Sequence, residues 1–248
     1  MPAAALRHPA LASAAAFITG GGSGIGRATA RALAHEGAGV IVADISGPAA
    51  ADVAAELRAA GHAVQTRTMD VADEAAWDAA FRTWPEGWPP LRVLVNCAGV
   101  SSAAPVAETA FADWRRLHAV NLDGAFLGTR AGLRAMRGTG GVIVNVASRS
   151  GVDVFPGAAA YSASKAAVIQ FSRVADAECA AAGGRLRVLH LAPGGVKTPL
   201  WRTMPGWAGL ARGGEDAAWR ALDPAGEFLT AEEVAGQIVE LVRGHLAR

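Results

Sequence analysis

Tyrosine occurs once in 248 residues, at Tyr161, lysine twice, at Lys165 and Lys197, and cysteine twice, at Cys97 and Cys179. The two cysteines stand far apart and outside any CxxC or Cys/His spacing, which argues against a disulfide framework and a zinc site and suits a reducing, cytoplasmic setting. No apolar run approaches the roughly 18 residues of a membrane span. Arg7 and His8 interrupt the alanine-rich start of the chain where a signal peptide would need its apolar core. Charge is also scarce, 18% of residues with a net of +1 and no basic block, so nucleic acid finds no electrostatic footprint. What the chain has in quantity is apolar surface, 52% of its residues. With no linker, charge block or internal repeat to divide it, the span 1–248 reads as one domain with a full core.

Glycine is abundant, and five of the 30 fall within Thr19 to Gly26, Thr-Gly-Gly-Gly-Ser-Gly-Ile-Gly. An apolar run, Ala14 to Ile18, precedes this stretch and reads as a buried strand; Arg27 to Glu36 follows with helical spacing. Glycines at such a junction permit positive φ and close approach of a bound group, and the helix start offers free N–H groups to a phosphate. The second strand, Gly39 to Ala43, ends in Asp44, which lies 20 residues after Gly24. That is where a dinucleotide fold places the acid that binds the adenosine ribose.

Strands and helices then alternate to the end of the chain. Strands are expected at Ala63 to Met69, Leu91 to Val95, Val142 to Ala147 and Leu186 to Leu191. Helices are expected at Ala49 to Ala60, from Asp73 through Phe81, at Phe111 to Met136 as one extended helix, at Ala158 to Ala182 and at Ala231 to Leu246. This order predicts an α/β, Rossmann-type, doubly wound parallel sheet with helices on both faces and ligands at the carboxyl ends of the strands. Residues 199–229 differ in kind, mixing Trp201, Trp207 and Trp219 with glycines, prolines and charges, and read as a mobile substrate lid.

Tyr161 and Lys165 sit four apart on a predicted helix and so share a face. A neighbouring cation favours the phenolate. Lowering a phenol from ~10 by ~3 units takes about 4 kcal/mol, which one ammonium and a positively charged nicotinamide ring could supply in a dry pocket. Ser148, at a strand end 13 residues earlier, can hold a substrate oxygen, and Asn121, an amide on an apolar helical face, can bind a water linking Lys165 to solvent. No Ser or Cys has the base and orienting partner that acyl transfer needs. An acid/base phenol beside a dinucleotide site implies hydride transfer.

These residues carry a resemblance. Thr19-Gly20-xxx-Gly24-Ile25-Gly26, Asp70-Val71, Asn96-Cys97-Ala98-Gly99, Asn121, Ser148, Tyr161-xxx-Lys165 and Pro193-Gly194-x-Val196-x-Thr198 occur in the order and spacing of the short-chain dehydrogenase/reductase family, which the chain resembles over nearly its whole length. The resemblance implies a catalytic set of Asn121, Ser148, Tyr161 and Lys165, with Tyr161 the general acid/base and Lys165 also gripping the nicotinamide ribose. It implies a cofactor site of Gly20, Ser23, Gly24, Ile25, Gly26, Asp44, Asp70, Val71, Asn96, Ala98, Gly99, Tyr161, Lys165, Pro193, Gly194, Val196 and Thr198. In that site Asp70 and Val71 meet the adenine, and Val196 and Thr198 the carboxamide. Substrate contacts are expected at Ser148, Ser150, Phe155, Gly195 and Trp201, an apolar set suited to a hydrophobic or cyclic secondary alcohol or its ketone. No metal is expected.

Asp44 predicts NAD over NADP. The other readings are an NADPH-dependent ketone or 3-oxoacyl reductase, a methyltransferase, which would leave Tyr161 and Lys165 without a role, and a non-catalytic dinucleotide sensor. The chain departs from the family pattern at Cys97, where a second Asn is usual, and at its end, Arg248, which arrives without the terminal strand that often helps build a tetramer. A homodimer or homotetramer is still expected.

Overall fold

The computed structural model describes residues 8–204 and 206–246. The expectations drawn from Arg7 and Arg248 lie outside these. In chain order the elements are α1 (Pro9–Ala12), β1 (Ala15–Thr19), α2 (Gly24–His35), β2 (Gly39–Asp44), α3 (Gly47–Ala59), β3 (Val64–Thr68), α4 (Glu74–Arg82) and β4 (Leu91–Asn96). There follow α5 (Phe111–His118), a π-helical turn (Ala119–Asp123), α6 (Gly124–Ala135), β5 (Gly141–Val146), α7 (Ala159–Ala181), β6 (Leu186–Leu191) and β7 (Val196–Lys197). The last elements are α8 (Trp207–Leu210), α9 (Glu215–Leu222), β8 (Leu229–Thr230) and α10 (Ala231–Leu246).

Among the described residues six strands form one parallel sheet in the order β3-β2-β1-β4-β5-β6. The chain is an α/β Rossmann-type fold with helices on both faces. The central strands β1, β2 and β5 are largely apolar and buried because both faces of the sheet are covered there. Along β1, Ala16 and Ile18 pack with Leu33 of α2, Val53 of α3 and Ile238 of α10. Phe17, one residue out of phase, packs with Trp77 of α4, Leu127 of α6 and Ala175 of α7 on the opposite side. Strand order reverses between β1 and β4, so the loops leaving them part and open a cleft at the carboxyl edge. Among the described residues no helix is long and apolar enough to cross a membrane, and no group of three or more His, Cys, Asp or Glu is placed to hold a metal.

The expected single helix from Phe111 to Met136 is corrected: a π-helical turn, Ala119–Asp123, interrupts it at Asn121. The backbone stays right-handed throughout, and the wider turn coincides with an amide that binds outside its own helix. The third strand is shorter than expected and half-exposed, as an edge strand is. Residues 199–229 are more ordered in secondary structure than a loop, holding α8, α9 and the first residue of β8. Strands β7 and β8 pair in parallel, Val196 with Leu229 and Lys197 with Thr230, so the two ends of this excursion are tied together.

Candidate active site

The glycine loop runs from β1 into α2. Gly20 and Gly24 adopt φ of 63° and 48°, which favours glycine at both. A Cβ on Gly20 would lie 2.9 Å from the Cα of Ala98, and one on Gly26 would lie 2.1 Å from the Gly20 carbonyl oxygen. The first glycine therefore lets the loop after β4 approach, and the last lets α2 seat against the loop. At the end of β2 the half-buried Asp44 accepts from the Gly22 N–H at Oδ2 and from the Ser46 N–H at Oδ1, both at 2.9 Å. The acid thus also braces the loop, with lone pairs left for a ribose. Arg27, the cation nearest to the loop in sequence, is held by Glu56 of α3, as is Arg31. The two guanidiniums, Arg31 foremost, pull the Glu56 carboxyl down to about 2.

Asp70 is exposed after β3 and accepts from the Ala72 N–H, while Val71 is buried beside Gly124. After β4, the Cys97 and Ala98 N–H groups both donate to Thr19 Oγ1, at 3.0 and 3.1 Å. This hydroxyl supports the segment that holds Cys97. The Cys97 side chain packs against the core, and burial pushes its thiol up to about 12, so it stays protonated. The Asn96 side chain faces inward, with Nδ2 donating to Asn145 Oδ1 at 2.8 Å within a buried network that includes Thr129 and Ser172. Any cofactor contact at Asn96 falls to its backbone.

Four side chains gather at the carboxyl ends of β4 and β5. Lys165, buried one turn after Tyr161 on α7, has its Nζ 5.6 Å from the centre of the phenol ring and donates to the Val146 carbonyl at 2.9 Å. Burial lowers the Lys165 ammonium to about 8. Ser148 follows β5, its Oγ accepting from the Ser150 N–H at 3.1 Å. Burial pushes the Tyr161 phenol above its ordinary value, and hydrogen bonding from Ser148 partly offsets this. Desolvation is the largest influence on this phenol and opposes the lowering expected from Lys165 and a charged nicotinamide ring.

Asn121 ties two segments together. Its Oδ1 accepts from Val100 N–H at 2.8 Å, and its Nδ2 donates to the Val100 carbonyl at 2.9 Å and to Ser164 Oγ at 3.2 Å. Both amide hydrogens are committed, so the side chain braces the β4 loop against α7. Gly99 leaves clearance there: a Cβ would sit 3.3 Å from Asn121 Oδ1 and 3.7 Å from Lys165 Nζ.

The loops after β5 and β6 are joined where the Arg149 N–H donates to the Pro193 carbonyl at 2.9 Å, which sets Ser148 beside the Pro193-to-Thr198 segment. Gly194 is exposed, Val196 is buried in β7, and Thr198 packs against Gly24. Among the expected substrate residues, Ser150, Gly195 and Trp201 are half-buried and Phe155 is exposed. Ser101, after β4, contacts the sulfur of Met204 at 3.3 Å, bringing the 199–229 excursion against the cleft. Sequence reasoning missed Phe228, whose ring lies on Gly195 and stacks on Trp201 with centroids 5.3 Å apart.

The residues present fit a dinucleotide: two left-handed glycines with close backbone contacts, a carboxylate at the tip of β2, and a glycine leaving room beside the lysine. Comparison with known proteins agrees. The adh_short family model, short chain dehydrogenase, matches residues 14–208. An NADP-dependent (R)-specific alcohol dehydrogenase from Lentilactobacillus kefiri is 38% identical over 191 residues, 75% of this chain and 74% of that one. The cis-4-hydroxycyclohexanecarboxylate dehydrogenase of Sinomonas cyclohexanicum is 38% identical over 234 residues, covering 94% and 90%. A cyclopentanol dehydrogenase from Comamonas testosteroni is 37% identical over 185 residues, covering 74% and 73%. The crystal structure of gox2181 superposes with a TM-score of 0.82 at 33% identity, covering 95% of this chain and 90% of that one.

Proposed function

Because the chain belongs to the short-chain dehydrogenase family, we propose that it interconverts a hydrophobic, cyclic secondary alcohol and its ketone with NAD, using Tyr161 as general acid/base. The observation that carries this reading is the grouping of Tyr161 and Lys165 at the carboxyl end of β5, which Ser148 follows: Lys165 Nζ lies 5.6 Å from the centre of the phenol ring and donates to the Val146 carbonyl. The names of the Sinomonas and Comamonas relatives support a cyclic alcohol. The Lentilactobacillus relative is named for NADP; in this chain Asp44 and the pairing of Arg27 with Glu56 support NAD.

NAD bound along this edge supplies the hydride acceptor. Ser148 Oγ donates to the substrate oxygen and orients the carbinol. Tyr161 Oη takes the hydroxyl proton as the carbinol C–H leaves as hydride, giving the ketone, the reduced dinucleotide and one proton. Lys165 stabilises the phenolate once the cleft is charged, and Asn121 holds the β4 loop and α7 in register. Incubation with NAD and a panel of alicyclic alcohols, watched by nicotinamide absorbance, tests this. A sensor gives binding without turnover.

Tyr161 must be deprotonated to accept the alcohol's proton and protonated to reduce a ketone. Its raised phenol therefore sends kcat/KM for oxidation up with pH through the alkaline range and sends reduction down over the same range. Ser148 favours the phenolate, so Ser148→Ala will move the oxidation limb to higher pH as well as slow the reaction. A limb that stays put or moves to lower pH contradicts this role.

Residues 199–229 act in this reading as a lid whose base is clasped. Lys197 Nζ lies 3.5 Å from the buried Asp223 carboxylate, which also accepts from the Glu227 and Phe228 N–H groups. Hydrogen exchange across the excursion will slow when NAD and alcohol are both bound. Equal protection in the ligand-free protein contradicts a lid. We read the protein as a homodimer or homotetramer, supported by the outward Phe111, Phe126 and Val174 on the helices α5 to α7.

A further inference from the structure

We propose that Phe228 sets the depth of the alcohol pocket, and that position 195 is glycine to admit its ring. The inference rests on the alcohol-oxidising reading above and names the side chain that limits which alcohols fit.

Gly195 does not lie in the left-handed region, so its backbone does not call for glycine. Its surroundings do. A Cβ there would stand 2.3 Å from both Cδ1 and Cε1 of Phe228 and 2.7 Å from Cγ. The aromatic ring therefore fills the space into which a side chain at 195 would project. Gly195 lies two residues after Pro193, whose carbonyl accepts from the Arg149 N–H, so the loop that carries Gly195 is joined to the loop that carries Ser148.

The ring is fixed from several sides. The Leu229 N–H donates to the Gly195 carbonyl at 2.9 Å, pinning the two segments together. The Phe228 N–H donates to Asp223 Oδ2 at 3.0 Å, and Lys197 holds the same carboxylate. Trp201 stacks on the ring at 26° between planes, with its own Nε1–H donated to the Val196 carbonyl at 2.9 Å. A held pair of aromatic rings offers apolar area and no acceptor, which suits a compact alicyclic carbinol and opposes a long or bulky one.

Phe228→Ala and Phe228→Leu test this, read as the ratio of kcat/KM for a 4-alkylcyclohexanol to that for cyclopentanol, with NAD. The ratio will rise by about tenfold or more in Phe228→Ala, the scale on which pocket volume discriminates hydrophobic substrates, and by less in Phe228→Leu. NAD affinity, measured by calorimetry, will stay unchanged. A second measurement does not depend on turnover. Gly195→Ala will lower the melting temperature in the parent and far less in Phe228→Ala, where the ring that it strikes is gone. An unchanged substrate ratio in folded Phe228→Ala, or equal destabilisation by Gly195→Ala in both backgrounds, overturns the proposal. If the parent oxidises no alcohol, the functional reading fails, while the melting series still decides whether Phe228 is what excludes a side chain at 195.

Discussion

Tyr161→Phe will bind NAD as the parent does and turn over at least ~100-fold more slowly, the usual scale for losing a positioned acid/base. The substitution removes the only phenol in the chain and keeps its ring. Little else should move. Lys165 is anchored by the Val146 carbonyl, and Ser148 Oγ keeps its bond from the Ser150 N–H, so the neighbouring groups hold their positions without the hydroxyl. What is lost in the proposed mechanism is the oxygen that takes the alcohol's proton, and Cys97, held protonated by burial, and Lys165, which donates to the Val146 carbonyl, are poor substitutes. Steady-state kinetics beside calorimetric NAD titration separates the two quantities. More than a tenth of parental turnover would assign the proton transfer to another group.

Asp44 is expected to give NAD roughly a 100-fold advantage over NADP in kcat/KM, if placing a 2′-phosphate against its carboxylate costs ~3 kcal/mol. Two features add to that expectation. The hydrogen bonds from Gly22 and Ser46 hold the carboxylate at the tip of β2, so it does not swing away from a phosphate without releasing the glycine loop. The neighbouring cation is engaged: Arg27 shares Glu56 with Arg31 on the face of α3. Asp44→Ala will erase most of the preference, weakening NAD and relieving NADP. The same change frees the Gly22 and Ser46 N–H groups, so NAD will lose more than a ribose contact alone accounts for. Equal use of the two cofactors by the parent would remove the role of Asp44 and leave Tyr161, Lys165 and Ser148 untouched.

Much of this site is legible along the chain because of how a doubly wound sheet is built. Each fully buried strand is a short apolar run, and the first polar residues after it fall at the carboxyl edge by necessity. Thr19-Gly20, Asp44, Asp70, Ser148 and Pro193-Gly194 are found this way, each from its own few neighbours. Contacts between segments distant in sequence are not legible. Nothing near Asn121 reports that its amide binds Val100 across a π-helical turn, and nothing near Asn96 reports that Asn145 takes its Nδ2 hydrogen. Phe228 reaches Gly195 only because β7 pairs with β8, two strands of two residues each that leave no periodic trace. The direction of the Tyr161 shift was hidden for a similar reason. A helical spacing of four brings a cation close, but the desolvation opposing it comes from the whole cleft.

Transfer of deuterium from the carbinol carbon of a labelled alicyclic alcohol to the nicotinamide ring tests the central claim most directly. The account predicts reduced dinucleotide carrying one deuterium per ketone formed, with label transfer at least ~100-fold slower when Tyr161→Phe replaces the parent at equal concentration. Ketone formed with unlabelled reduced dinucleotide, or label transfer at the parental rate in Tyr161→Phe, would contradict it.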